Sequence, residues 1–112
     1  MRVIVRFEES CQFALTRWRQ GLSANRLDRE ALAGVLLDEL KKRLVEFGGC
    51  PPGSYTTVDA EQLQYWVELS GGMWVACSVT RSGSVFGRTR VVHVTDAAPC
   101  PPPGAVPASL PG

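Results

Sequence analysis

The sequence predicts an α+β domain with the order β-α-α-β-β-β, two helices packed on one face of a small, mainly antiparallel four-stranded sheet. Three patterns carry that expectation: an alternating strand at the N-terminus, two amphipathic helical stretches after it, and a strand–glycine turn–strand passage in the second half.

Residues 2–7 alternate with period two, Val3, Val5 and Phe7 on one side and Arg2, Ile4 and Arg6 on the other. The next stretch, Ser10 to Gln20, places Cys11, Ala14, Leu15 and Trp18 at i, i+3, i+4 and i+7, one apolar stripe of a helix. Ser10 is the expected N-cap, and Gly21 the residue that ends the helix. A second helix is predicted from Asp28 to Phe47, with Leu32, Val35, Leu36, Leu40, Leu44 and Phe47 as its buried stripe. Asp28 and Glu30 suit its positive end, and Lys41, Lys42 and Arg43 lie toward its negative end. Gly48-Gly49 stops it and Pro51-Pro52 prevents continuation. Residues 50–62, rich in Pro, Gly, Ser and Thr, read as a connection.

Tyr65-Trp66-Val67-Glu68-Leu69 is aromatic and β-branched, Ser70-Gly71-Gly72 is a turn, and Met73 to Thr80 forms the next strand. In that strand Met73, Val75, Cys77 and Val79 share a side, and Trp74, Ala76, Ser78 and Thr80 share the other. Arg88 to Thr95 is the last predicted strand. Arg90, Val92 and Val94 oppose Thr89, Val91, His93 and Thr95 there, and valines on both sides leave the buried side undecided. Trp66 and Trp74 are expected to pack together beneath the helices. The domain is expected to span 1–96. Residues 97–112, dominated by Pro, Ala and Gly without a charged or aromatic side chain, are expected to form a disordered proline-rich tail.

Composition limits the function classes. A chain of 112 residues with net charge +1 is one domain without a whole-molecule field that draws it to nucleic acid or membrane, so any such attraction must be a local patch. Charge at Arg2, Arg6, Glu8 and Glu9 interrupts any signal-peptide core, and no apolar run approaches the ~20 residues that span a bilayer. The expectation is a cytoplasmic protein that does not engage a membrane. Cys11, Cys50, Cys77 and Cys100 include no close pair, and with His93 the single histidine they offer no zinc spacing. No metal or other cofactor is therefore expected. Phosphate-loop and nucleophile-elbow motifs are absent as well. The chemically interesting residues are Arg81, Arg88, Arg90 and His93. Arginines bracketing a glycine-containing loop can hold phosphate, and histidine titrates near neutral pH.

At this point the element order and the Tyr65–Val79 passage resemble the RelE/ParE-like toxin superfamily, over roughly residues 2–96. Those are short bacterial chains of one strand, two helices and a three-stranded antiparallel meander. The resemblance implies a toxin acting on ribosome-bound mRNA or inhibiting another target, with an antitoxin-like protein as its partner. It points to Arg88, Arg90 and His93 as catalytic candidates and to Arg81 and Arg88 as contacts for RNA phosphate. Asp96 and a prolyl tail stand where the family commonly carries a basic or tyrosine-bearing closing segment. The alternative is a non-catalytic protein-binding or structural domain on the same scaffold.

Overall fold

The computed structural model describes residues 2–22, 26–59, 62–69, 72–84 and 87–108. Its elements are β1 (Arg2–Phe7), α1 (Glu9–Gln20), α2 (Arg26–Glu46), β2 (Tyr55–Asp59), β3 (Gln62–Leu69), β4 (Met73–Ser84), β5 (Gly87–Ala98) and β6 (Val106–Pro107). The α+β class holds, with two helices beside a mixed sheet. The four-stranded antiparallel sheet does not: the sheet has six strands in the order β1-β5-β4-β3-β2-β6, and β1 runs parallel to β5.

Both added strands come from segments with turn-rich composition. Tyr55–Asp59 lies in the expected connection, yet Thr56, Thr57 and Val58 are β-branched, and the strand pairs antiparallel with β3 from Tyr55 opposite Trp66 to Asp59 opposite Gln62. Val106–Pro107 comes from the expected tail and pairs with Thr56 and Tyr55. Residues 97–108 thus differ from the expectation. Ala97 and Ala98 complete β5, and the Ala108 N–H donates to the Ser54 carbonyl at 2.8 Å. Residues 109–112 lie outside the described residues, as do Ser70 and Gly71 of the expected turn.

Strand β5 is the spine of the sheet, pairing with β1 on one side and β4 on the other. Its register settles the two faces. Val3, Val5 and Phe7 stand beside Arg90, Val92 and Val94, and these in turn oppose Arg81, Val79 and Cys77 of β4. This is the helix side. Val92, Val94, Cys77, Val75 and Val67 are fully buried against Cys11, Leu15 and Trp18 of α1 and Leu40 and Leu44 of α2. A bulge lies where Ala76 opposes Asp96 but Cys77 opposes Val94, leaving Thr95 as the extra residue. The extra residue reverses the alternation, so Ala97 enters the same core as Val94 although they are an odd number apart.

The stripe of α1 is as its spacing predicts, but the helix begins at Glu9 with Glu8 as N-cap residue, and the Ser10 hydroxyl donates to the Thr95 carbonyl instead of capping. The stripe of α2 is rotated from the expected one. Ala33, Leu36, Leu37, Leu40 and Leu44 pack inward, while Leu32, Val35 and Phe47 are exposed. The inward set recurs at i, i+4, i+7 and i+11 from Ala33, so a small residue marks the close approach that larger side chains concealed. No described helix is long and apolar enough to cross a membrane.

The reverse face divides in two. Toward β1 it carries Arg2, Ile4 and Arg6 beside Thr89, Val91 and His93, with Ser82, Thr80 and Ser78 across from them on β4. Toward β2 it carries an aromatic group, which corrects the expectation that Trp66 and Trp74 lie under the helices. Both follow the phase of Ala76, opposite to Val75 and Val67. Tyr55 meets Trp74 edge to face at 5.5 Å, and the Trp66 Nε1–H donates to Thr57 Oγ1 at 3.2 Å. Trp66 and Ala76 are buried there, outside the helix-side core.

After α2 the chain turns sharply over the sheet. Gly49 has φ +106°, and a Cβ at that position would come 2.6 Å from Val79 Cγ2. Backbone conformation and space both exclude a side chain there. Gly49→Ala is expected to cost about 1–3 kcal/mol of stability, from the strained backbone plus displacement of Val79. Urea denaturation followed by tryptophan fluorescence measures it, and Gly53→Ala, with open space around its Cβ, is expected to cost less.

Candidate functional site

The outer half of the β4–β5 hairpin extends past the α2 exit loop, and the arginines gather there. Arg81 is the direct cross-strand partner of Arg90, and Arg88 lies two residues before Arg90 on the same side, opposite Gly83. With Ser82, Gly83 and Thr89 they line a cavity of about 250 Å³. Gly83 has nothing within 4 Å of where its Cβ would stand, which leaves room between the guanidinium groups.

The electrostatics of this pocket are unbalanced. Like charges directly opposite on neighbouring strands repel. Among the described residues, none of the three arginines has a carboxylate within salt-bridge distance, whereas Glu30 lies 4.0 Å from Arg19 and Glu8 lies 2.7 Å from His93. Arg90 bends back over the sheet so that its guanidinium abuts Gly48, and its Nε is buried without a hydrogen-bond partner. A buried donor left unsatisfied costs about 1–3 kcal/mol. An anion entering the cavity would relieve the repulsion.

His93 belongs to a different place. It alternates with Val92 and Val94, so it emerges on the reverse face, with Arg6 of β1 beside it and Ser78 of β4 opposite. Its Nδ1 lies 2.7 Å from Glu8 Oε1 and its Nε2 3.1 Å from Thr80 Oγ1. Glu8 lies between β1 and α1 as the N-cap residue, yet its side chain makes no cap hydrogen bond and is spent on the histidine. The sequence-predicted residues therefore separate: Arg81, Arg88 and Arg90 converge on the helix side of the sheet, and His93 stands on the other. Neither His93 nor its partners Glu8 and Thr80 line the arginine cavity.

Comparison with protein-family models, curated proteins and solved structures yields no match. The chemistry is therefore read from the side chains alone.

Sequence reasoning missed Glu8, Thr80 and Arg6 as neighbours of His93. The signal was present in part, since Arg6 and Thr80 share strand phases that can be paired with His93, but only the β1–β5 and β4–β5 registers bring them together. Among the described residues, no group of three or more His, Cys, Asp or Glu side chains is arranged to hold a metal ion. Of the four free thiols, Cys11 and Cys77 are buried, Cys50 is half-buried and Cys100 is exposed. Burial pushes the Cys77 thiol from the ordinary 9.0 up to about 12.

This has a titration consequence. Between pH 9 and 12 the folded chain keeps the Cys77 proton that the unfolded chain loses, so stability is unaffected by this group below pH 9 and falls as pH rises through that window. The urea midpoint is expected to drop less steeply over that range in Cys77→Ala than in the parent. At pH 8 an aromatic disulfide reagent is expected to modify Cys100 rapidly and Cys77 only on unfolding, as read by peptide mapping.

Proposed function

We propose that this chain is an anion-binding domain that grips the phosphate backbone of single-stranded RNA at the outer end of its β4–β5 hairpin. The observation that carries the proposal is the convergence of Arg81, Arg88 and Arg90 on one cavity with no carboxylate beside them. Three positive charges on neighbouring strand positions repel one another in a free domain. A polyanion removes that repulsion. Phosphate contacts of this type give affinity without sequence readout. Binding alone fits the arginine cavity, because a general acid or base for phosphodiester cleavage is missing from its lining.

The RelE/ParE-like toxin reading builds on the same grip. The order of one strand, two helices and a meander supports it, and under it the RNA is ribosome-bound message and the protein partner an antitoxin-like segment. That reading carries its own test: expression of the chain in a bacterial host arrests growth, and Arg88→Ala relieves the arrest.

Binding of a fluorescent single-stranded RNA, followed by anisotropy as salt is raised, tests the grip. Three phosphate contacts predict a slope of log K against log salt of about −2, at about −0.7 per contact for a single strand. Each of Arg81→Ala, Arg88→Ala and Arg90→Ala is expected to make the slope shallower by about 0.7. Binding absent at low salt, or a slope unchanged in all three variants, refutes the proposal.

A further inference from the structure

The reverse face holds an arrangement that the arginine cavity does not use. Glu8, His93 and Thr80 form a continuous chain from carboxylate to imidazole to hydroxyl, at 2.7 and 3.1 Å. An ionised carboxylate only accepts hydrogen bonds, so the contact with Glu8 places a proton on His93 Nδ1. In the neutral ring that leaves Nε2 as an acceptor, and Thr80 Oγ1–H donates to it. The tautomer is thus the one in which the histidine can withdraw the threonine proton.

The three groups come from different places in the sequence and are held independently. Glu8 is anchored at the β1–α1 junction by its own N–H, which donates to the Val94 carbonyl at 2.9 Å. His93 sits on the strand held from both sides, and Thr80 lies across from Val91 on β4. Thr80 is exposed, and the histidine side chain remains a quarter exposed, so a small molecule can reach the hydroxyl.

The surroundings of Thr80 set the kind of molecule. Its row across the sheet is Ile4, Val91 and Thr80, two aliphatic side chains beside the hydroxyl. Ile4 and Val91 are partly exposed. The flanking rows carry Arg2 with Thr89 and Arg6 with His93. A short aliphatic acyl chain fits the two aliphatic side chains, and the arginines of the flanking rows suit a leaving group or oxyanion that bears negative charge.

We infer that Glu8, His93 and Thr80 form a nucleophilic triad that transfers the acyl group of short-chain activated esters, with Thr80 as nucleophile. In the acylation step Thr80 Oγ1 forms a bond to the ester carbonyl carbon as its proton passes to His93 Nε2. The tetrahedral intermediate then collapses by breaking the bond to the leaving oxygen, which takes that proton; where it departs as its anion, the imidazolium releases the proton to solvent, and either way His93 is neutral again. Water, deprotonated by His93, attacks the acyl-threonine and restores the hydroxyl, releasing the carboxylic acid. No oxidant or reductant enters. Thr80 and His93 are the catalytic residues; Glu8 is a positioning residue that acts through the imidazole.

The test is turnover of p-nitrophenyl butyrate by the full chain, with acid-quenched samples mapped by peptide mass spectrometry. The expected result is an acyl group on Thr80 and turnover that falls by about 100-fold in Thr80→Ala and in His93→Ala. Thr80→Ser is expected to retain turnover. Glu8→Gln is expected to lower kcat with KM little changed, and Glu8→Asp to recover part of the loss. Acylation confined to Cys100, lysines or the N-terminus overturns the inference, as does turnover in Thr80→Ala equal to that of the parent. The arginine cavity is lined by none of Glu8, His93 and Thr80, so loss of RNA binding and loss of esterase turnover are separate results.

Discussion

Everything in this domain depends on the double pairing of one strand. β5 is hydrogen-bonded to β1 in parallel and to β4 antiparallel, and its side chains alternate between a covered face and an open one. Val92 and Val94 anchor it to both helices, and they cannot be buried without sending His93 to the opposite side. Beyond the helices the same phase exposes Arg88 and draws Arg90 back toward the α2 exit loop. A slip of one residue would bury His93 and expose the valines, so the hydrophobic core and both candidate sites are fixed by a single register.

The two sites answer different physical demands. The arginine cavity works against stability: its charges repel, and a buried nitrogen lacks a partner. The Glu8–His93–Thr80 chain is internally satisfied, each polar atom of the histidine having its own partner. It stabilises the β1–α1 junction in the resting protein, and its chemistry requires only that a substrate approach the exposed hydroxyl.

Much of the fold is legible in the sequence because the relevant patterns are local. The α1 stripe at Cys11, Leu15 and Trp18, the Leu69-to-Met73 hairpin and the alternation of β4 all appear as periodicity. What could not be read depends on distant partners. Tyr55–Asp59 becomes a strand because β3 offers it a free edge, and Val106–Pro107 because β2 does so in turn. Ala33 marks the true buried line of α2, but small residues carry little weight in an apolar count beside Leu32 and Val35. The bulge at Thr95 leaves no trace in composition, yet it decides that Ala97 belongs to the core. For the sites, the arginine cluster was visible as a sequence neighbourhood. Separation of His93 from it follows from strand parity, and parity could not be assigned while valines occupied both sides.

The return of the C-terminal segment to the far side of the sheet also changes the chemistry of its rim. A sheet whose outermost strand is long and flat invites lateral growth by an incoming chain. Here the last position is filled by a two-residue strand containing Pro107, whose ring nitrogen has no hydrogen to offer a newcomer. The opposite margin is β1, where Arg2 and Arg6 punctuate the apolar residues with charge. The segment that composition reads as a proline-rich tail therefore covers β2 at Tyr55 and Thr56, where a prolyl residue rather than a row of free N–H groups forms the margin.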